Sequence, residues 1–340
     1  MNSAPSSAGL SVRPALMNAL LQRAYGQPDV LAVAEIERPA LTPDGVLVRV
    51  LGAAVNKGDW HLLTGTPYLI RVAGYGVRTP TRPIPGMAIA GRVEAVGVNV
   101  KSFKPGDEVY GEINRGGFAE YVCVGAEALA HKPASLSFEE AATLPVSATT
   151  ALQGLRDAGK LQPGQSVLIN GAAGGVGTFA VQIAKAMGAV VTGVCSAGNV
   201  ALVRSIGADH VIDYCTEEFT KGERCYDVIF DLVGNHSRAA CRRVLTERGR
   251  LLAAAGGAEH AWVGPMVDVL LGLASNLVSR QPFVPVMNKP NKEDLDALAA
   301  LVEAGKVKPV IDRRYTLGET PEGMRALGEG HTRGKSVVTI

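Results

Sequence analysis

Apolar and polar positions along the chain follow two different rhythms. Between residues 17 and 125, short apolar runs at 17–21, 46–50, 91–96, 108–110 and 118–124 are separated by glycine, proline and aspartate. That is the pattern of strands joined by turns, and it predicts a compact, mainly β unit. Residues 68–85, YLIRVAGYGVRTPTRPIP, are too rich in arginine, glycine and proline for a regular element. They read as a long surface loop and a candidate border of a substrate entrance. At residue 137 the rhythm changes. FEEAATLPVSATTALQGLRDAG has helical spacing interrupted at Pro145, with Ser137 as N-cap and Glu140 completing a capping box. Apolar runs at 167–169, 190–194, 210–212, 226–230 and 250–254 then alternate with helical segments. Alternation of this kind predicts a parallel sheet wrapped by helices.

Further on, Met266, Val269, Leu270, Leu273, Leu277 and Val278 fall at helical spacing. Core packing is the simplest reading of that face; a partial cover for a cleft and a dimer contact are the alternatives. Asn291 caps a helix running to Ala304, Gly305 stops it, and KSVVTI is a last strand. These C-terminal elements break the alternation, so the chain is expected to return and complete the sheet or the first unit.

Length and composition narrow the class. A chain of 340 residues predicts two domains, and 47% hydrophobic residues are ample for both cores. A net charge of +2 with scattered lysines and arginines points to neither nucleic acid nor an anionic membrane surface. The five cysteines, Cys123, Cys195, Cys215, Cys225 and Cys241, form no CxxC pair and read as reduced thiols of a cytoplasmic protein. MNSAPSSAGLSVRP has neither a basic nor an apolar leader region and is expected to be a mobile tail. The apolar window 263–278 is too short to span a bilayer.

The candidate chemistry centres on residues 166–185, SVLINGAAGGVGTFAVQIAK, which read as strand, glycine turn and helix. The turn, with Ala172, Ala173, Gly174, Gly175, Val176 and Gly177, is a dinucleotide fingerprint with alanine at the first glycine position. Gly174 would let backbone approach a pyrophosphate, Gly177 would let helix pack on strand, and the helix N-terminus offers N–H groups to the anion. An NAD-type unit closes its second strand with an acid for the ribose 2′-hydroxyl. Here no acid stands between Lys185 and Asp209, and the strand ends in Cys195-Ser196, followed by Asn199 and Arg204. Ser196 and Asn199 could donate to a 2′-phosphate and Arg204 could add charge, which favours NADPH. Asn199 as a helix cap and Arg204 as a solvated residue are the structural alternatives.

The motifs AAVNKGDW, PGMAIAGRVEAVG, PGDEVYG, GGFAEYV, AATLPVSATTAL, NGAAGGVG, GADHVIDY and GKVKPVID occur in this order. In this the chain resembles the medium-chain dehydrogenase/reductase superfamily, in its zinc-free, quinone-oxidoreductase-like branch. The resemblance implies an α/β fold, a Rossmann doubly wound parallel sheet plus a mainly β GroES-like catalytic domain. It places a tail at 1–16, the catalytic domain at 17–145 and 283–340, and the Rossmann domain at 146–282, with a cleft between and a homodimer as the common assembly. It implies Asn56 and Thr150 near the nicotinamide, Tyr214 beside Ser196 at the 2′-phosphate, Val233 and Gly234 in a turn beside the cofactor, Phe283 and Val284 near the carboxamide, and Lys335 approaching the cofactor.

Zinc-dependent members place a cysteine, a His-Glu pair and a second cysteine at the catalytic metal. The corresponding motif positions here hold Asn56 and Gly86-Met87-Ala88, and Glu112 to Gly117 runs where the four-cysteine zinc lobe would be. The histidines, His61, His131, His210, His236, His260 and His331, are as scattered as the cysteines, so no metal site is expected. Without a Lewis acid the substrate must supply its own polarisation, as quinones and α,β-unsaturated carbonyls do. The reading is an NADPH-dependent reductase of such acceptors; a metal-free aldehyde or alcohol oxidoreductase and a non-catalytic NADPH-binding protein are the alternatives. A proton would come from solvent or a hydroxyl. Tyr68 is the candidate donor, with Tyr75, Trp60 and His61 as further pocket walls.

Overall fold

The computed structural model describes residues 15–254, 266–330 and 332–340. Most of the expected tail, and His260 and His331, lie outside the described residues. The predicted alternation forms a six-stranded parallel sheet. Its order is His210–Asp213, Val190–Cys195, Ser166–Asn170, Tyr226–Asp231, Leu245–Ala253 and Phe283–Pro285. Val167, Leu168 and Ile169 are all fully buried, as a central strand covered on both faces requires. Strand order reverses between Ser166–Asn170 and Tyr226–Asp231, which puts a topological switch point at their C-terminal ends.

The second sheet has seven strands in the order Ile311–Thr316, Lys335–Thr339, Gly45–Ala54, Ala88–Val96, Glu108–Glu112 and Leu129–His131, with Tyr121–Gly125 paired to Gly45–Ala54 off this path. Lys335–Thr339 pairs antiparallel with Gly45–Ala54, so the chain does return to complete its first unit. Leu16–Gln22 and Leu31–Glu37 form a separate antiparallel hairpin. The two large sheets share one apolar core: Ala54, Ala88 and Tyr110 cluster with Val167, Ile169, Phe230 and Leu298. The Tyr110 hydroxyl donates to the Leu295 carbonyl at 2.6 Å, which satisfies its buried polar end.

Three local expectations are corrected. Residues 68–85 contain one π-helical turn, Arg71–Tyr75, in which the Gly76 N–H reaches the Arg71 carbonyl at 3.1 Å. Arg71 organises it by donating to the Thr64 and Gly65 carbonyls with its guanidinium against the Tyr25 and Tyr68 rings, a tertiary constraint that local composition does not reveal. The division expected at 282/283 would separate Phe283–Pro285 from the parallel sheet, where it pairs with Leu245–Ala253. Finally, the helix Met266–Ser275 is not seated by its leucines: Leu270 is 60% exposed. It packs through Gly272, where a Cβ would stand 2.4 Å from the Phe283 ring.

Candidate active site

At the end of Ser166–Asn170 the chain turns through Gly171, whose φ of 88° suits glycine, into the helix Gly175–Ala186 with Gly174 as N-cap. The Thr178 N–H reaches the Gly174 carbonyl at 3.0 Å, so the N–H groups of Gly175, Val176 and Gly177 lie ahead of that first intrahelical bond. A Cβ on Gly177 would stand 2.1 Å from the Gly171 oxygen, so glycine is what lets this helix approach the strand. A Cβ on Gly174 would meet nothing closer than that oxygen at 3.4 Å. The face of the turn at Gly174 is therefore open. Ala173 ties the turn to the chain end by accepting from the Gly334 N–H at 2.8 Å.

Beside this turn a polar cluster is buried between the sheets. Asn56 is the N-cap of the helix Lys57–Thr64, and its backbone N–H donates to the Asp59 Oδ2 at 3.0 Å in a capping box. The Lys335 Nζ donates to the Val55 carbonyl at 2.9 Å and to the Asn56 Oδ1 at 2.5 Å. The Asn56 Nδ2 donates to the Ala54 carbonyl at 2.9 Å, and the Ser147 Oγ lies 3.5 Å from the Asn56 Oδ1. A Cβ on Gly175 would be 3.1 Å from the Lys335 Cδ and 3.7 Å from the Ser147 Oγ, so the cluster abuts the start of the glycine-turn helix. Burial lowers Lys335 to about 8, against the pull of the Asp59 charge. Burial also raises Asp59 to about 6, opposed by the Asn56 N–H and by the Lys335 and Arg115 charges.

Thr150 belongs to the helix Ser147–Gln153, which starts from an unusual turn. Val146 has φ 67° and ψ −60°, and the Ser147 N–H bonds to the Pro145 carbonyl at 2.8 Å. This is a γ-turn of the strained hand, costing about 1–3 kcal/mol at a β-branched residue. The Thr150 Oγ1 donates to the Val146 carbonyl at 2.5 Å, and the Val146 N–H donates to the Glu112 Oε2 at 3.2 Å. The same oxygen accepts from the Asn288 Nδ2 at 2.5 Å. Burial raises Glu112 to about 7, and the charge of Asp59 adds to the rise.

The other sequence-predicted residues divide. Ser196 directly follows the second strand, and the Asn199 Nδ2 donates to its Oγ at 3.1 Å; Asn199 makes no side-chain cap to the helix Val200–Ser205. Tyr214 is 57% exposed, and its N–H bonds to the Cys195 carbonyl at 3.1 Å, so it stands next to Ser196 at the sheet edge. Val233 and Gly234 both donate their N–H groups to the Asp231 Oδ1, at 3.1 and 2.9 Å, and Val233 faces Gly171 of the glycine turn. Val284 is half-buried against the core shared by the sheets. The Phe283 ring lies in the core against Gly272, and its N–H and C=O are both bonded to the Asn276 side chain, at 2.8 and 2.9 Å. The Tyr68 ring sits against the Arg71 guanidinium, 4.6 Å away, while Lys335 and Ser147 complete the Asn56 cluster.

Asp59, Glu112, Ser147 and Arg115 were not among the sequence candidates. Asn56 and Asp59 stand at capping-box spacing, a signal that would have found Asp59. Arg115 is buried and donates to the Gln22 Oε1 at 2.6 Å. Among the described residues, no group of three or more His, Cys, Asp or Glu side chains is placed to hold a metal ion. Nor, among them, is any helix long and apolar enough to cross a membrane.

Residues 42–134 match the family described as alcohol dehydrogenase GroES-like domain, and residues 206–338 the family described as zinc-binding dehydrogenase. Over 97% of this chain and 91% of the relative, the sequence is 34% identical to the NAD(P)H oxidoreductase RTN4IP1, mitochondrial, of Mus musculus. The chain belongs to the medium-chain dehydrogenase/reductase superfamily. It is an oxidoreductase of that superfamily, with the GroES-like and Rossmann-type folds expected of it. A second relative, the 2-methylene-furan-3-one reductase of Solanum lycopersicum, is 33% identical over 98% of this chain and 82% of its own length. Among solved structures, the quinone oxidoreductase from Coxiella burnetii superposes with a TM-score of 0.83 at 28% identity, covering 96% of this chain and 100% of that one.

Proposed function

We propose that this medium-chain reductase uses NADPH to reduce quinones or α,β-unsaturated carbonyls without a metal ion. The observation that carries the reading is the Asn56 cluster. Where zinc-dependent members place a ligand, this chain has a neutral amide whose oxygen is held by a buried ammonium. A cation there would meet the Lys335 charge instead of a thiolate. The names of the tomato and Coxiella relatives, an enone reductase and a quinone oxidoreductase, support the same acceptor class.

The residues fit a dinucleotide. The open face at Gly174 and the leading N–H groups of the helix Gly175–Ala186 suit a pyrophosphate, seated on Ala173 to Gly177. Ser196, Asn199 and Tyr214 would hold the 2′-phosphate, with no carboxylate in the strand Val190–Cys195 that precedes Ser196. Asn56, Thr150, Val233, Gly234 and Val284 would border the nicotinamide half, with Lys335 behind Asn56. Bound there, NADPH supplies the hydride. Lys335 and the Ala54 carbonyl fix both ends of the Asn56 amide, so its orientation is set before a substrate enters. The Thr150 hydroxyl hydrogen is committed to Val146, which leaves its oxygen as an acceptor. The acceptor's conjugation spreads the developing charge to its own oxygen, which takes a proton from solvent.

The exposed leucines of Met266–Ser275 support a homodimer, and five unpaired thiols support a reducing compartment such as the cytoplasm. The test is NADPH oxidation by purified protein against a panel of quinones, enones and simple aldehydes, with NADH in parallel. Turnover of the conjugated acceptors with NADPH supports the reading. Tight NADPH binding with no turnover would establish a binding protein instead, and activity confined to aldehydes would replace the acceptor class.

A further inference from the structure

Glu112 has no place in the hydride chemistry above, yet it is a buried carboxyl at a junction of three segments. It ends the strand Glu108–Glu112 of the seven-stranded sheet. Its Oε2 accepts from the Val146 N–H at 3.2 Å and from the Asn288 Nδ2 at 2.5 Å. Val146 is the strained residue from which the helix carrying Ser147 and Thr150 departs, and Asn288 follows the edge strand of the parallel sheet. Packing alone does not hold the carboxyl in place. A cavity of about 130 Å³, lined in part by Glu112, Thr149, Asn291 and Leu295, lies beside it. The Thr149 hydroxyl oxygen is buried there without a partner. With space on one side, the position of the carboxyl is set by its hydrogen bonds, and those bonds act on the Val146 turn.

We infer that Glu112 is a positioning residue: from the seven-stranded sheet it locks the strained Val146 turn, and so sets where Thr150 and Ser147 stand relative to Asn56. The inference rests on the proposed reductase reading for its kinetic consequence, but the geometric claim stands apart from it. Thr150 bonds back to the Val146 carbonyl, and Ser147 reaches the Asn56 amide oxygen, so a relaxed turn would move both hydroxyls together. The pyrophosphate seat lies on a different helix, Gly175–Ala186. Loss of the lock would therefore fall on turnover more than on NADPH binding.

The experiment compares E112A, E112Q and N288A with wild type in full-length protein. The readouts are kcat with a conjugated acceptor, NADPH affinity by fluorescence, thermal unfolding, and amide hydrogen exchange at residues 146–150. In E112A, kcat is expected to fall about 10- to 100-fold, the loss typical of a displacement near 1 Å, with the NADPH Kd within about threefold. Exchange at 146–150 should rise at least about tenfold even without cofactor, as the turn opens. E112Q keeps a carbonyl oxygen for the Val146 N–H and is expected to restore kcat to within about threefold. N288A removes one of the two bonds and should lie between them. Unchanged exchange at 146–150 in a folded E112A would overturn the inference, whether or not the enzyme turns over. So would an E112Q as inactive as E112A, because the carboxylate itself would then be required. If E112A fails to fold, E112Q and N288A decide by the same exchange measurement. A wild type that binds NADPH without turnover removes the reductase reading and leaves the exchange comparison to judge the lock.

Discussion

The glycine turn allows a prediction in which two neighbouring glycines fail differently. In G177A the new Cβ would stand 2.1 Å from the Gly171 oxygen and 2.8 Å from the Ala172 carbonyl carbon. Both obstacles are backbone, and ordinary contact begins near 3.4 Å, so the helix must move away from the strand by roughly 1 Å. Overpacking of this kind costs about 1–3 kcal/mol, offset in part by about 0.5–1 kcal/mol of helix propensity. A net loss of about 1 kcal/mol, near the middle of that range, lowers the unfolding temperature by about 2–4 °C. The same displacement misaligns the leading N–H groups of the helix. One lost charge-assisted hydrogen bond is worth about 1.5–3 kcal/mol, so NADPH affinity should fall about 10- to 100-fold. G174A has no such clash, since its Cβ meets only the Gly171 oxygen at 3.4 Å. It should fold within about 1 kcal/mol of wild type, the difference between glycine and alanine at an N-cap. Its methyl group occupies the open face instead, so NADPH binding should still fall at least about tenfold. Calorimetry and fluorescence titration of the two variants separate these effects. A G174A protein that binds NADPH like wild type would refute the seat assigned to this turn, and a G177A protein of unchanged unfolding temperature would refute the close-approach argument.

Removing the buried ammonium in K335M should make stability in urea unfolding fall more steeply between pH 4 and pH 7, because Asp59 loses the nearby charge that opposes the rise of its carboxyl. The pH dependence follows from the directions of the two shifts. Asp59 is raised to about 6 from 3.8, so its contribution to stability is present below 3.8 and lost as pH rises through 6; Lys335 is lowered to about 8 from 10.5, so its contribution is present above 10.5 and lost as pH falls through 8. The gap between wild type and K335M should therefore widen from pH 4 to pH 7, and a gap independent of pH would show that the two groups do not interact. S196D places a carboxylate where the 2′-phosphate is expected. The KM for NADPH should rise at least about tenfold while that for NADH changes little, and an unchanged ratio in steady-state kinetics would remove Ser196 from the 2′ site.

What was legible in the sequence is what depends on near neighbours. Residues 166–186 declare strand, turn and helix within a few positions, and the absence of an acid before Asp209 needs no third dimension to be seen. The parallel sheet followed from alternation for the same reason. Lys335 bonds to Asn56 across 279 residues, and no local pattern announces that a lysine opening a valine-rich strand will be buried. Glu112 reaches Val146 over 34 residues and Asn288 over 176, so its role exists only once three segments are assembled. Phe283 is another non-local case: Gly272 on the adjacent helix opens a slot that takes its ring into the core. Arg71, only three residues from Tyr68, holds that ring in a stack that the arginine-rich composition disguised as irregular loop.

On the proposed reading, hydride delivery needs NADPH and a conjugated acceptor and no metal, with Asn56 where a zinc ligand would be. The most direct measurement is the rate of NADPH oxidation by an enone and a quinone, using protein dialysed against a strong chelator and analysed for bound zinc in the same sample. Full activity is expected at less than about 0.1 zinc per chain, with no gain on adding zinc back. Activity that is lost to the chelator and restored by zinc would contradict it.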